Sequence, residues 1–354
     1  MPMKAATDRL RVAVAAPLSE ENCAVIERLE PRIELIRDQT LYPPMRHPAD
    51  FSGDPSFRRT ASQQDRYEEM LLSADALYGV PDLNPAALKR VAERNTSLRW
   101  VHTMAAGGGT QIKAADLTPD QLQRIAFTTS AGVHGAPLAE FAVFGVLAGA
   151  KDLPRLIQQQ RSHSWTGRWV MRQVSDLTVL VIGLGGIGQQ VARRLNALGA
   201  SVIGCNRSGR SVDFVDRVIP AANIREALDE VDAIVISLPE TDATVNLIGR
   251  EVLSEVKPAT TLVNVGRGTV VDESALLDAL RSGRIGFAAL DVFASEPLAA
   301  DSPLWDEPGV LVSPHTAALS SREDQLIAEL FAENATRLLD SRPMLNRVDT
   351  VDFY

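Results

Sequence analysis

The stretch from Thr178 to Arg207, TVLVIGLGGIGQQVARRLNALGASVIGCNR, limits what this chain can fold into more than any other. Its apolar run Val179 to Ile182 is too short for a helix and suits a strand buried on both faces. Gly183, Gly185 and Gly188 follow at G-x-G-x-x-G spacing. In such a turn the first glycine permits a tight bend, the second lets backbone approach a pyrophosphate, and the third lets helix pack closely on strand. The next helix begins with free N–H groups that face an anion. Val191, Leu195 and Leu198 give it one apolar face, Gly199 stops it, and Ser201 to Cys205 supplies the next strand. A complete βαβ unit is the context that separates a dinucleotide site from an ordinary glycine turn.

A chain of 354 residues is longer than one average domain, and two are expected. Thirty-six basic residues against 45 acidic ones give a net charge of −9, which argues against a nucleic-acid or anionic-membrane surface. Cys23 and Cys205 are the only cysteines and lie far apart, with Cys205 in an expected buried strand. A disulfide framework is not expected on that reading, and a reducing cytoplasm fits. Lys4, Arg9 and Arg11 precede an apolar run ending at Pro17, which reads as a first strand rather than a signal segment. The most hydrophobic segment, Phe141 to Ala150, falls far short of the ~20 residues that span a bilayer.

Along the chain, strands are expected at Val12 to Ala15, Ile33 to Ile36, Ala76 to Tyr78, Leu98 to Val101 and Ile125 to Thr128. Helices are expected at Glu20 to Leu29, Gln64 to Ser73 and Asn84 to Asn95. This alternation is α/β. Tyr42 to Gln63 is rich in proline, serine and charge and has no period, so it is an exposed loop that is either functional or mobile. Gly107, Gly108 and Gly109 follow an expected strand, where unobstructed N–H groups suit a carboxylate; a flexible turn fits equally well. From Pro137 a helical tract runs to about Ser162 and is apolar nearly all round through Ala150, as a buried helix is. Further strands are expected at Phe214 to Val218, Ala233 to Ser237, Thr261 to Val265, Gly286 to Leu290 and Val310 to Val312. The last helix, Arg322 to Leu339, has no strand after it and would return to the first domain. The resulting division is 1–136 with 321–354, and 137–320.

Three ionisable residues fall just past carboxyl ends of expected strands, where a doubly wound sheet places its ligands. Arg267 lies in Val265-Gly266-Arg267-Gly268, Glu296 soon after Gly286 to Leu290, and His315 in Ser313-Pro314-His315-Thr316-Ala317. Reduction of a 2-keto acid requires a hydride at carbon, a proton at oxygen and a fixed cation for the carboxylate. Arginine's fork binds a carboxylate in two places and keeps its charge. Histidine exchanges a proton near neutral pH, and a neighbouring carboxylate favours imidazolium and holds one tautomer. Taken singly, each has an ordinary alternative as a capping arginine, a surface glutamate or a satisfied loop histidine. His47, His102, His134 and His163 show no metal-ligand spacing, and no metal is expected. Neither a G-x-S-x-G elbow nor a phosphate-binding G-x-x-x-x-G-K-[ST] loop is present.

The motifs GLGGIG, LVNVGRGTVVDESALLDALRSGRIGFAALDVFASEPLAADSPLW and VLVSPHTAA resemble the D-isomer-specific 2-hydroxyacid dehydrogenases, which include glyoxylate/hydroxypyruvate reductases and phosphoglycerate dehydrogenases. The match covers about half the chain, and the closing LNRVDTVDFY is similar to the family's last segment. The resemblance implies two doubly wound parallel-sheet domains, a Rossmann cofactor domain and a flavodoxin-like substrate domain, with a cleft between them. It implies Arg267, Glu296 and His315 as the catalytic trio and backbone at Ala106, Gly107 and Gly108 as a carboxylate site. Around the cofactor it implies Gly183, Gly185, Gly186, Ile187, Gly188, Leu238, Pro239, Thr244, Val265, Gly266, Asp291, His315 and Ala317, with Asp291 holding the nicotinamide carboxamide. A homodimer built through helices of the cofactor domain is implied as well, which would explain the apolar helix after Pro137. Glu296 argues against the formate dehydrogenase branch, which carries glutamine there.

An NAD site places an Asp or Glu about 20 residues past the first glycines, on the ribose hydroxyls. Here the strand ends Cys205-Asn206-Arg207-Ser208-Gly209-Arg210, with two arginines and a serine suited to a 2′-phosphate. NADPH is therefore expected in preference to NADH, with both binding as the alternative. The leading expectation is a cytoplasmic reductase of small 2-keto acids, glyoxylate, hydroxypyruvate or a bulkier analogue, giving D-2-hydroxy acids. Trp165, Arg168, Trp169 and Tyr42 are candidates to line its cleft, or are packing and surface residues. The family also contains corepressors, so a dinucleotide-sensing interaction protein without turnover is the second reading.

Overall fold

The computed structural model describes residues 9–351 and 353; Lys4 of the first segment and Asp352 and Tyr354 of the last lie outside them. The chain divides into two compact units, Met1–His134 with Leu319–Tyr354, and Gly135–Ala318.

The first unit runs β1 (Leu10–Val14), α1 (Glu20–Leu29), β2 (Ile33–Ile36), α2 (Ala61–Leu72), β3 (Ala76–Tyr78), α3 (Pro85–Arg94), β4 (Trp100–Thr103), α4 (Gly109–Ala114), α5 (Pro119–Arg124) and β5 (Ala126–Thr129). The second continues with α6 (Gly135–Ala150), α7 (Leu153–Arg161), β6 (Thr178–Ile182), α8 (Gly186–Ala197), β7 (Ser201–Asn206), β8 (Arg217–Pro220), β9 (Ala233–Ile236), α9 (Arg250–Glu255), β10 (Thr260–Asn264), α10 (Glu273–Arg281), β11 (Ile285–Leu290) and β12 (Val310–Val312). The last helix, α11 (Glu323–Leu339), returns to the first unit.

All strand pairs are parallel. The first sheet has the order β2-β1-β3-β4-β5 and the second β12-β11-β10-β9-β6-β7-β8. These are the flavodoxin-like and Rossmann orders, each with its reversal beside the first strand of the unit. Strands buried on both faces need continuous apolar sequence, and Val179 to Ile182 are each no more than 1% exposed. Burying such a side chain contributes about 1.5–3 kcal/mol. The first core closes on α11: Phe331 stacks on Trp100 with ring centroids 4.4 Å apart.

Several expectations shift. The tract from Pro137 to Ser162 is two helices, because Asp152 takes a left-handed φ of 55° that ends α6 before Pro154 enters the first turn of α7. The strand expected at Phe214 begins instead at Arg217: Phe214 is half exposed, with a φ of 64° that a strand does not accept. Leu98 packs in the core ahead of β4, which starts at Trp100. Gly109 opens the short helix α4 rather than continuing a glycine loop. The segment 42–60 is an ordered loop closed on itself, and it holds Tyr42 in the first core, with its hydroxyl donating to the Val14 carbonyl at 2.8 Å.

Candidate active site

The glycine turn lies between β6 and α8. Gly183 has a φ of 97°, and a Cβ on Gly188 would sit 1.8 Å from the Gly183 carbonyl oxygen, so helix and turn approach as closely as backbone allows. At Gly185 the same added atom would meet nothing within 4 Å. Gly186 and Ile187 form the first turn of α8. Sequence reading missed Ser237, whose hydroxyl donates to the Gly183 carbonyl at 2.8 Å and braces the bend from the end of β9. Leu238 and Pro239 follow it. Thr244 folds that loop back by donating to the Pro239 carbonyl at 2.8 Å and accepting the Thr241 N–H at 2.8 Å.

At the end of β7 the side chain of Asn206 organises the following turn. Its amide donates to the Arg210 carbonyl at 2.9 Å, and its oxygen accepts the Ser208 N–H at 3.1 Å. Arg207, Ser208 and Arg210 are exposed on this turn. No carboxylate occupies residues 206–210.

Beyond β10 the chain turns through Val265, Gly266 and Arg267. Asn264, a buried amide at the end of an apolar strand, accepts the Gly266 N–H and donates to the Arg267 carbonyl, both at 3.0 Å. A polar residue closing the run Thr261-Leu262-Val263-Asn264 was the available signal for this clamp. A Cβ on Gly268 would fall 1.8 Å from the Phe293 carbonyl carbon, which fixes the Arg267 turn against the loop carrying Glu296. The Arg267 guanidinium donates to its neighbour's carbonyl, that of Gly266, at 2.8 Å and is exposed.

Glu296 and His315 meet directly: imidazole Nδ1 lies 2.7 Å from Glu296 Oε2. The other carboxylate oxygen accepts the Phe293 N–H at 2.9 Å. Partial burial would raise this carboxyl, but the bonds from His315 and Phe293, with the nearby charges of His315 and Arg267, outweigh it and hold the group below its ordinary range. A depressed carboxyl contributes stability that is present above its unfolded pKa and is lost only as pH falls through the lower folded value. The pair is thus intact at neutral and mildly acid pH. With Nδ1 engaged by Glu296, Nε2 is the nitrogen left to exchange a proton with a ligand. Glu273, which sequence reading also missed, accepts the Ala294 N–H at 2.7 Å and anchors the same loop to α10.

Asp291 is 1% exposed. Its Oδ1 accepts the Ser313 hydroxyl at 2.5 Å and the N–H groups of Thr316 and Ala317 at 3.0 Å each, tying down the turn in which His315 holds a φ of 53°. Its Oδ2 is buried without a partner. An orphaned carboxylate oxygen calls for a donor, and the amide of a nicotinamide is one. Together with the open space at Gly185, this fits a dinucleotide.

In the first unit, Ala106, Gly107 and Gly108 follow β4. Their N–H groups donate to nothing among the described residues, while the Gly107 carbonyl takes the Thr110 hydroxyl at 3.0 Å. His102, by contrast, is fully buried on β4, bonded to Thr128 and Ser130, and burial pushes its imidazole down to about 3. His134 pairs with Glu323 at 2.8 Å. No group of three or more His, Cys, Asp or Glu among the described residues is placed to hold a metal ion.

Residues 143–317 match the family profile described as D-isomer specific 2-hydroxyacid dehydrogenase, NAD binding domain. A protein of Corynebacterium melassecola, named only as uncharacterized in the proB 3′ region, is 30% identical over 266 residues, 73% of this chain and 84% of that protein. Against mycobacterial D-3-phosphoglycerate dehydrogenases the chain spans 35% of their length, at 37% identity. Among solved structures, a D-isomer specific 2-hydroxyacid dehydrogenase of Xanthobacter autotrophicus in complex with NADPH and MES superposes with a TM-score of 0.76 at 27% identity, covering 98% of this chain and 100% of that one. An NADPH-dependent glyoxylate/hydroxypyruvate reductase of Sinorhizobium meliloti, in complex with NADP and sulfate, gives 0.74 at 25% identity with the same coverage. The profile falls within the second unit, the structural likeness spans the chain, and the chain belongs to the D-isomer-specific 2-hydroxyacid dehydrogenases.

Proposed function

We propose that this protein reduces a 2-keto acid to the D-2-hydroxy acid, with NADPH as the preferred reductant. The observation that carries the reading is the Glu296–His315 pair at 2.7 Å, set beside the Arg267 turn at the carboxyl edge of a Rossmann sheet. A bound nicotinamide supplies the hydride. Arg267 offers its guanidinium fork to the substrate carboxylate, where charge-assisted, two-point binding fixes orientation. His315 delivers a proton from Nε2 to the carbonyl oxygen as the alcohol forms, and Glu296 holds Nδ1 and offsets the imidazolium charge. In the first unit the free N–H groups of Ala106, Gly107 and Gly108 are suited to a carboxylate. Asp291 Oδ2 would receive the carboxamide, and the turn after Gly183 the pyrophosphate. The named relatives are dehydrogenases and reductases, and no observation favours the corepressor-like reading.

Arg207, Ser208 and Arg210 support the preference for NADPH, as does the absence of a carboxylate among them. The test is catalytic efficiency with NADPH and NADH over a panel of 2-keto acids. NADPH is expected to be favoured, and Arg207→Ala to raise its KM roughly tenfold or more, the worth of a charge-assisted hydrogen bond. A wild-type preference for NADH overturns the cofactor assignment, and no oxidation of either cofactor overturns the reaction.

A homodimer belongs to the same proposal. Leu156 of α7 and, after it, Trp165, Val170 and Met171 are exposed apolar side chains that a second copy would cover. Light scattering should give twice the chain mass; a monomer at micromolar concentration contradicts it. Residence in a reducing cytoplasm is part of the same proposal, since Cys23 and Cys205 are free and buried. Among the described residues no helix is long and apolar enough to cross a membrane.

A further inference from the structure

His102 stands on β4 inside the first unit, fully buried, and the proposed reaction gives it no task. Burial pushes its imidazole far below neutrality, so the ring is uncharged and carries a single N–H. Its neighbours decide which nitrogen that is. The Ser130 hydroxyl donates to the Thr103 carbonyl at 3.0 Å, and its one proton is thereby spent. The 3.1 Å contact between Ser130 Oγ and His102 is therefore donated by Nε2–H. Nδ1 is left as an acceptor and takes the Thr128 hydroxyl at 2.8 Å. Thr128 Oγ1 in turn accepts the Trp100 indole N–H at 2.8 Å. The bonds all run one way, from Trp100 through Thr128, His102 and Ser130 to the Thr103 carbonyl.

Thr103 ends β4 and is the seat of the turn that follows. Its hydroxyl donates to the Ala105 carbonyl at 3.3 Å, and a Cβ on Gly108 would fall 1.8 Å from its Oγ1. The turn Ala106–Gly108 is thus folded back onto the residue whose carbonyl closes the chain of bonds. Both ends of that chain are anchored. Asn346 holds the peptides on either side of Ser130, donating to the Thr129 carbonyl at 3.3 Å and the Ala131 carbonyl at 2.6 Å. Phe331 of α11 stacks on Trp100 and meets the His102 ring edge-on at 5.7 Å. An apolar side chain at 102 would fill this space with no buried polar group to satisfy. A buried chain in which every proton is committed instead fixes one geometry.

We propose that His102 is a positioning residue for the carboxylate site: through Ser130 it holds the Thr103 peptide, and with it the N–H groups of Ala106, Gly107 and Gly108, at one setting. The inference rests on the reductase reading and on the carboxylate role of that turn. His102 acts through backbone and exchanges no proton with the substrate, so its loss is felt in binding of the keto acid and not in binding of the cofactor.

The test is steady-state kinetics of His102→Leu, His102→Gln and Ser130→Ala with NADPH and glyoxylate, or whichever acid of the panel wild type turns over best. Leucine removes both ring bonds, and Ser130→Ala cuts the chain where it reaches Thr103. A misplaced hydrogen bond to a charged group costs roughly tenfold, so both variants should raise KM for the keto acid by about that factor. KM for NADPH should stay within about twofold, and kcat should change less than the keto-acid KM. Glutamine restores an amide donor for Ser130 and should bring that KM back to within about threefold of wild type. Should His102→Leu fail to fold, Ser130→Ala and His102→Gln decide the question. A keto-acid KM unmoved in Ser130→Ala, a parallel rise in both KM values, or glutamine no better than leucine overturns the inference. Gly108→Ala, which drives a Cβ into Thr103, probes the turn itself. An unchanged keto-acid KM there overturns the carboxylate reading; a rise there without one in Ser130→Ala overturns the role of His102 alone. Failure of wild type to turn over any acid overturns the reductase reading beneath both.

Discussion

Replacing His315 with alanine is expected to lower kcat for 2-keto acid reduction by about 10²–10⁴-fold, the usual worth of a positioned general acid. The imidazole is placed for that task, since Glu296 engages Nδ1 at 2.7 Å and Asp291 ties down the turn on which the ring stands. Its removal takes away the proton donor without touching the glycine turn, so binding of NADPH, followed by fluorescence, should fall far less than kcat does. A variant that still reduces its best substrate within threefold of the wild-type rate would remove His315 from the mechanism.

Arg267→Gln should cost nearly as much, but in a different parameter. Each hydrogen bond to a charged group is worth about 1.5–3 kcal/mol, so losing a two-point carboxylate clamp predicts roughly 10²–10⁴-fold in kcat/KM, carried largely by KM. Arg267→Lys keeps the charge and loses the fork, and should fall between the two. Equal efficiency for Lys and Arg, or an unchanged KM in the Gln variant, would show that the carboxylate is held elsewhere. Steady-state kinetics on the three proteins decides it.

Both predictions start from residues that can be picked out of the sequence, because each closes a run whose pattern announces a strand. The apolar segments around Val181, Val263 and Ala289 leave no choice but buried parallel strands, and the ligand edge follows from them. What the pattern does not contain is anything decided by contacts distant in sequence. Asn264, Ser237 and Glu273 look like ordinary polar residues until folding brings them to Arg267, Gly183 and Ala294. The break at Asp152 was hidden for another reason: helix periodicity continues across it, and only a left-handed φ separates α6 from α7. Loop 42–60 has no periodicity to read, and its order comes from buried Asp50 and from Arg59 bridging to Asp82. A charged, proline-rich sequence conceals a fixed structure when its charges are satisfied internally.

The return of α11 has a consequence for how the protein is made. Phe331 stacks on Trp100 and meets Tyr78 edge-on at 5.1 Å, so the first core lacks a central ring until the chain beyond Leu339 has left the ribosome. The second unit is continuous from Gly135 to Ala318 and is complete earlier in synthesis. Until α11 is made, Tyr78 and Trp100 lack their contacts with Phe331, while the inserted unit is already continuous. The unit whose residues precede the insertion is completed after it.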